Sequence, residues 1–342
     1  MKEFTLLEII KRLQQLLVSM FALLVVTFII GRVLPNDPVG AVVGELADPA
    51  AFEAMRQKLG LDLPVYQQFW IYLTSLLHGD MGSAILTGNP VTRDLAQAFP
   101  ATFELATFAV IISTVIGVPL GMLAAFHRDS WIDQCARVIS LVGSSIPVFW
   151  FGVVGLVIFY AALAWVGGPG RVDTYLDGMV EPRTGLLLVD SLLAGDTETF
   201  WNAVHHIILP ACILAYSAMA YITRMTRSFT LEQLNQDYVT AARAKGASGT
   251  RIVTRHMLPN IAVQLVTVLA ISYGNLLEGA VVTEIVFSWP GIGQYMTNAL
   301  MIGDMNAILA GTLIIGAIFM LLNFITDLAY LMLDPRTREV AV

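Results

Sequence analysis

The chain has 342 residues, 56% of them hydrophobic and 13% charged, with mean hydropathy +0.72, net charge -7 and pI near 5.2. Soluble domains run at about 45–50% apolar and about 25% charged, so this composition has exchanged a polar surface for a lipid-facing one. That excludes an ordinary soluble enzyme, and the two cysteines, Cys135 and Cys212, support neither a disulfide framework nor a zinc site.

A spanning helix needs about 20 mostly apolar residues to cross a hydrocarbon core about 30 Å thick. Six segments qualify, at about 13–31, 104–126, 138–163, 204–223, 261–283 and 307–333. The first follows Lys11 and Arg12, as a signal peptide would. Its apolar run is too long for one, and Gly31-Arg32-Val33-Leu34-Pro35 offers no small-residue cleavage site, so it reads as a retained span.

The region after it, about 33–103, carries Asp37, Glu45, Asp48, Glu53, Asp62, Asp80 and Asp94. Within it, the run from Pro64 sets Phe69, Tyr72, Leu73 and Leu76 on one helical face, with Asp62 available as an N-cap. Its aromatic residues suit a helix packed at a membrane interface. Pro119, Pro147 and Pro210 fall inside spans and predict kinks. Gly117 and Gly121 have the spacing of a close-packing face, better suited to a contact within the chain than to one between subunits. The connection 164–203 opens on Gly167-Gly168-Pro169-Gly170 and reads as irregular. His205 and His206 point to different faces of a helix, a poor arrangement for holding one metal ion.

The basic residues set the orientation. With the N-terminus in the cytoplasm, the inner segments hold thirteen: Lys2, Lys11, Arg12, Arg128, Arg137, Arg224, Arg227, Arg243, Lys245, Arg251, Arg255, Arg336 and Arg338. The outer segments hold six over a much greater length, at Arg32, Arg56, Lys58, Arg93, Arg171 and Arg183. The positive-inside bias therefore predicts both termini in the cytoplasm. The acid lies mostly outside and gives no hint of a nucleic-acid partner.

The loop 224–260 carries the most information. Residues 237–245 favour a helix with small Ala241, Ala242 and Ala244, and Gly246 is a natural stop. A second short helix fits 249–258, ended by Pro259. Two short helices joined at a glycine make a knob whose small side chains let a partner approach the backbone, while Arg and Lys flank it. Such a knob can pass rigid-body motion from a soluble partner to the neighbouring spans.

Asp237-Tyr238-Val239-Thr240-Ala241-Ala242-Arg243-Ala244-Lys245-Gly246, followed by Leu258-Pro259, resembles the EAA loop of ABC-importer permeases. Thr240 stands where that pattern has glutamate, and His256 where it often has isoleucine. The Ala-Arg-Ala-Lys-Gly form is similar to the dipeptide, oligopeptide and nickel branch. The likeness runs along the chain. It includes Leu34-Pro35-Asn36-Asp37-Pro38, Leu59-Gly60-Leu61-Asp62, His78-Gly79-Asp80-Met81-Gly82, Phe99-Pro100-Ala101-Thr102, Thr283-Glu284, Phe287 through Gly293, and Asp334-Pro335-Arg336. The resemblance is strongest to the B-type permeases of dipeptide importers.

This resemblance implies an all-α integral membrane protein with six transmembrane helices, a type I importer-permease core and a single permease domain over 1–342. It implies a multi-pass subunit of the bacterial inner membrane. A second homologous permease would complete the pathway and two cytoplasmic ATPases would seat on the 237–259 loops. An extracytoplasmic solute-binding protein would deliver a peptide. The chain itself would be non-catalytic, with no cofactor or metal of its own and with ATP and Mg held by partners. It has no G-x-x-x-x-G-K-[ST] phosphate loop, which agrees. Nickel or another small solute is the alternative cargo. A stand-alone secondary transporter fits less well, because the spans are poor in ionisable groups.

Three acidic residues interrupt apolar segments. Glu278 in the fifth span either faces the translocation pathway and contacts a peptide amino group, or sits near the outer boundary, or bonds a neighbouring helix. Glu284 reads as structural, tying the Trp289-Pro290 turn, and Asp327 as paired near the inner end of the sixth span.

Overall fold

The computed structural model describes residues 6–33, 39, 48–58 and 60–333, and the side chains of 6–12, 32–33, 58 and 327–333 lie outside the description. The turn at Leu34–Pro38, the Asp334–Arg336 segment, Leu59 and the pairing of Asp327 therefore lie outside the described residues. Among those described, the architecture is helical, with one isolated β-bridge joining Ser83 and Pro90.

The chain divides into two compact units. The first comprises 1–101 and 290–320, the second 102–289 and 321–342. Helices α1 (Leu6–Val33), α2 (Pro49–Lys58) and α3 (Val65–Leu77) lie in the first. The aromatic face of α3 is real, and its partner there is α1: Phe28 meets Phe69 edge-on at 5.2 Å and stacks on Tyr72 at 5.9 Å. Asp62 does not cap α3. The cap position is Pro64, with no side-chain capping bond, and Gln68 Nε2 donates instead to the Leu63 carbonyl at 2.7 Å. Asp62 sits two residues short of the cap, and the extended Pro64 carries the chain past it.

In the same unit, Asp304 begins helix α13 (Met305–Leu333) by accepting from the Ala307 amide at 3.2 Å. Its other oxygen accepts from the Ile85 amide at 2.5 Å, which fastens the 82–90 turn. Gly82 has φ +81, the left-handed conformation that favours glycine, and a Cβ there would also press on the Asn306 carboxamide, 2.7 Å from its Nδ2.

Helix α4 (Val91–Phe126) runs from the first unit into the second. The second unit adds α5 (Trp131–Ser145) and α6 (Val148–Gly155), the latter extended by a π turn at Leu156–Ala162. Then come α7 (Leu187–Ala194), α8 (Thr197–Leu234), α9 (Asp237–Ala244), the short α10 (Gly249–Arg251), a π turn at Ile252–Met257, and α11 (Leu258–Val286). Helix α12 (Ile292–Ile302) belongs to the first unit.

Among the described residues, five helices are long and apolar enough to cross a membrane. The 138–163 segment is not one kinked helix. It is the pair α5 and α6, bent by 98° at Ile146-Pro147, which raises the number of spans to six if the pair counts as one. Pro147 lacks an amide hydrogen and holds extended dihedrals (φ -61, ψ 135), so helical bonding cannot pass through it. The bend closes around Tyr216 of α8. Its hydroxyl donates to the Ile139 carbonyl at 2.9 Å, and its ring meets Phe151 edge-on at 5.3 Å. Gly143 permits this, since a Cβ there would lie 3.2 Å from that ring.

The glycines of α4 also serve packing within the chain. A Cβ on Gly121 would lie 2.6 Å from the Thr223 carbonyl oxygen, and one on Gly117 would lie 3.3 Å from that of Met219. Pro210 sits inside a helix that remains continuous from Thr197 to Leu234.

Candidate functional site

The 224–260 loop is more helical than the sequence suggests. Its first eleven residues continue α8 to Leu234, and the chain then turns into α9 at Asp237. Helix α9 ends as the Ala–Gly pattern requires: Gly246 takes φ +78, its amide donates to Arg243 O at 2.9 Å, and the Ala247 amide reaches back to Ala242 O at 3.1 Å. The second element does not stop at Pro259. Helix α10 passes through the π turn into α11, with Pro259 in the first turn of α11. Pro259 has no amide hydrogen to donate, and it is accommodated directly after a π turn in which the Leu258 amide reaches back to the Val253 carbonyl.

The two arms share a small core of Val239, Ala242, Ile252 and Met257, against which Phe126, Leu234, Tyr238 and Ala247 pack. Tyr238 is further fixed by donating to Gln233 Oε1 at 2.6 Å. The predicted loop residues thus separate into two groups. Ala242 is buried, 8% exposed, and works inside the knob. Asp237, Ala241, Arg243, Ala244, Lys245 and Gly246 are exposed, as are Leu258 and Pro259. On a helix, Asp237, Ala241 and Ala244 fall on one outward stripe. Thr240, also exposed, flanks it. This small-residue stripe beside Arg243 and Lys245 can receive a partner surface at close range.

One junction absent from the sequence reading anchors the loop's neighbourhood. Asp133, fully buried on α5, accepts from Arg227 Nε at 2.6 Å and Nη2 at 2.8 Å, from Arg137 Nη2 at 2.8 Å, and from the Asp129 amide at 3.0 Å. A second junction also went unforeseen. Glu104 on α4, 5% exposed, accepts from Arg171 Nη2 at 2.5 Å and from the Leu188 amide at 2.9 Å. Arg171 in turn lies 5.9 Å over the ring of buried Trp289. Glu104 stands among apolar neighbours in sequence, which is the signal it offers, whereas Asp133 lies in a polar stretch between Arg128 and Arg137 and offers none.

Glu284 is buried and accepts from Thr102 Oγ1 at 2.5 Å, while its backbone carbonyl accepts from the Trp289 amide at 2.8 Å. Glu278 is exposed on α11. His206 is buried, with Nδ1 donating to Asn202 O at 2.9 Å and Nε2 3.6 Å from Asp173, whereas His205 faces outward. No group of three or more His, Cys, Asp or Glu among the described residues lies placed to hold a metal ion.

The 164–203 connection is held by Asp190, 3% exposed, which accepts from the amides of Arg183, Thr184 and Gly185 and from the Thr184 hydroxyl. Burial pushes its carboxyl up, but these hydrogen bonds prevail and hold it below the ordinary carboxylate range.

The model of the binding-protein-dependent transport system inner membrane component matches residues 117–339, and the model of the N-terminal part of such membrane components matches 5–106. The chain belongs to this permease family. It is 43% identical to the "Probable D,D-dipeptide transport system permease protein DdpB" of Escherichia coli (strain K12), over 91% of this chain and 92% of that protein. It is 39% identical to the "Di/tripeptide transport system permease protein DppB" of Pseudomonas aeruginosa (strain UCBPP-PA14), over 97% and 98%. Among solved structures, an inward-facing form of the MetNI methionine ABC transporter aligns with TM-score 0.52 at 17% identity, over 70% of this chain and 96% of that one. The likeness is one of fold, an all-α type I permease core.

Proposed function

We propose that this chain is one of two permease subunits of an ATP-driven peptide importer, with both termini in the cytoplasm, and that the α9–α10 knob is where an ATPase seats. The permease relatives named for dipeptides and di/tripeptides support the cargo. The excess of Lys and Arg in alternate connections supports the orientation. The observation that carries the coupling role is the outward stripe of Asp237, Ala241 and Ala244, held by a loop core that includes Ala242. A second, homologous permease completes the pathway, and an extracytoplasmic binding protein brings the peptide. ATP and Mg stay on the ATPases, and this chain performs no catalysis.

Small residues matter because they let the partner's surface close on the backbone. Ala241→Trp and Ala244→Trp put bulk on the stripe without touching Val239, Ala242, Ile252 or Met257. In proteoliposomes carrying the whole complex, each variant is expected to lower ATP-driven uptake of an alanine dipeptide at least tenfold and to reduce ATPase co-purification. The permease itself should remain inserted. Gly246→Arg is expected to act likewise, whereas Ala242→Asp would disrupt the knob from within and so reports folding rather than docking. Wild-type uptake by both tryptophan variants would remove the assignment.

A further inference from the structure

Within the second unit, α8, α11 and the start of α6 line a half-open cavity of about 220 Å³. That is room for several waters or for a short peptide segment. Its polar lining is formed by Ser217 and Tyr221 of α8 and by Ser272 and Asn275 of α11, with Leu214 and Leu276 beside them, and none of its lining residues is charged. Val148 reaches the cavity because the 98° bend at Ile146-Pro147 starts α6 there.

One atom in that wall has no structural explanation. Ser272 is 2% exposed, and its hydroxyl has no hydrogen-bond partner. A buried unsatisfied hydroxyl costs about 1–3 kcal/mol, so alanine would serve packing better. Ser217, by contrast, already donates to the Leu214 carbonyl at 2.9 Å and offers its lone pairs as acceptors. Gly279 leaves the floor open, since a Cβ there would meet nothing within 4 Å. Glu278, one residue away, is not part of the lining.

From this arrangement we infer that the cavity is a binding subsite for the uncharged main-chain amide of the transported peptide, with Ser272 and Asn275 as its hydrogen-bonding residues. The inference rests on the peptide-importer reading. The chemistry follows from the lining. Hydroxyl and carboxamide groups both donate and accept, so they match the N–H and C=O of a peptide unit. With no fixed charge among them, they favour neither an amino nor a carboxylate terminus, and side chains are not read. The site would therefore hold peptides of varied sequence during passage while leaving selection to other components.

The test uses the full complex in proteoliposomes with trialanine, and with its analogue carrying an ester in place of one amide. All proteins share one binding protein, so its own preference cancels between them. Ser272→Ala and Asn275→Leu should each lower trialanine uptake about tenfold, the scale of one lost hydrogen bond, and should erase the amide-over-ester preference. Ser272→Thr, which keeps the hydroxyl, should retain both. ATPase stimulation by the loaded binding protein should stay near wild type in all three, showing that the complexes are assembled. Unchanged uptake and unchanged preference in both deleterious variants would overturn the subsite while leaving peptide import intact. Failure of the wild-type complex to take up alanine peptides of two or three residues, of either hand, would overturn the cargo reading and the subsite with it.

Discussion

At the scale of single residues, buried charge decides most of what composition could not. Asp133 is fully buried, and Arg227 supplies it with two hydrogen bonds. Losing that partner leaves an undersatisfied carboxylate, so Arg227→Met is expected to destabilise the protein by about 2–4 kcal/mol. Asp133→Asn combined with Arg227→Met should cost less than the sum of the two single changes, because the second removal finds no charge left to strand. Thermal unfolding of the detergent-solubilised permease checks both statements, and strict additivity would refute the coupling.

Asp190 makes a prediction with a sign. Its carboxyl is held below the ordinary range in the folded loop, so its contribution is fully present above about pH 4 and is lost as pH falls through the folded value. Asp190→Asn should mimic that loss at neutral pH. The amides of Arg183, Thr184 and Gly185 should then exchange hydrogen roughly tenfold or more faster, given about 1.5–3 kcal/mol for hydrogen bonds to a charged group. Unaltered exchange in the variant would show that the carboxylate does not order the loop.

At the scale of elements, the close approach of α4 and α8 rests on absent side chains. Gly121→Val would place a Cβ 2.6 Å from the Thr223 backbone oxygen, which cannot rotate away. The helices would have to part, at a cost of about 1–3 kcal/mol or more. Gly249→Ala, with nothing within 4 Å of its Cβ, should leave stability unchanged and serves as the control in the same melting experiment.

What was legible at this scale follows from the physics each signal reports. Hydropathy finds the part of a helix that meets lipid, so the cores of α1, α4, α8, α11 and α13 could be read directly. It is silent on where a helix leaves the bilayer, and the extension of α8 to Leu234 was therefore missed. A window average also smooths over Ile146-Pro147, where local backbone geometry turns one apolar run into two helices 98° apart. The Gly246 stop was legible because only a left-handed residue suits that cap. Pro259 marks a helix end by local preference alone, but the π turn that precedes it carries the helix through. The division of the alanines into buried Ala242 and exposed Ala241 and Ala244 needed the packing of α10 and its π turn, which no local pattern contains.

At the scale of the whole molecule, the described residues of this permease-family chain form apolar spans, buried junctions and an exposed knob. The proposed importer gives each a task. The buried junctions at Asp133 and Glu104 hold helices in fixed relation, so that a push on the knob moves spans rather than bending the loop. The knob's own core keeps the stripe rigid, and its outer face stays small. The most direct measurement of this account is photo-cross-linking within the intact complex in membranes. A benzophenone amino acid is placed at position 241, at 244 and, on α7 of the opposite proposed face, at Val189, which is exposed. The account predicts adducts with the ATPase subunit from 241 and 244 and none from 189. Adducts with the ATPase from 189, or none from both loop positions in an actively transporting complex, would contradict it.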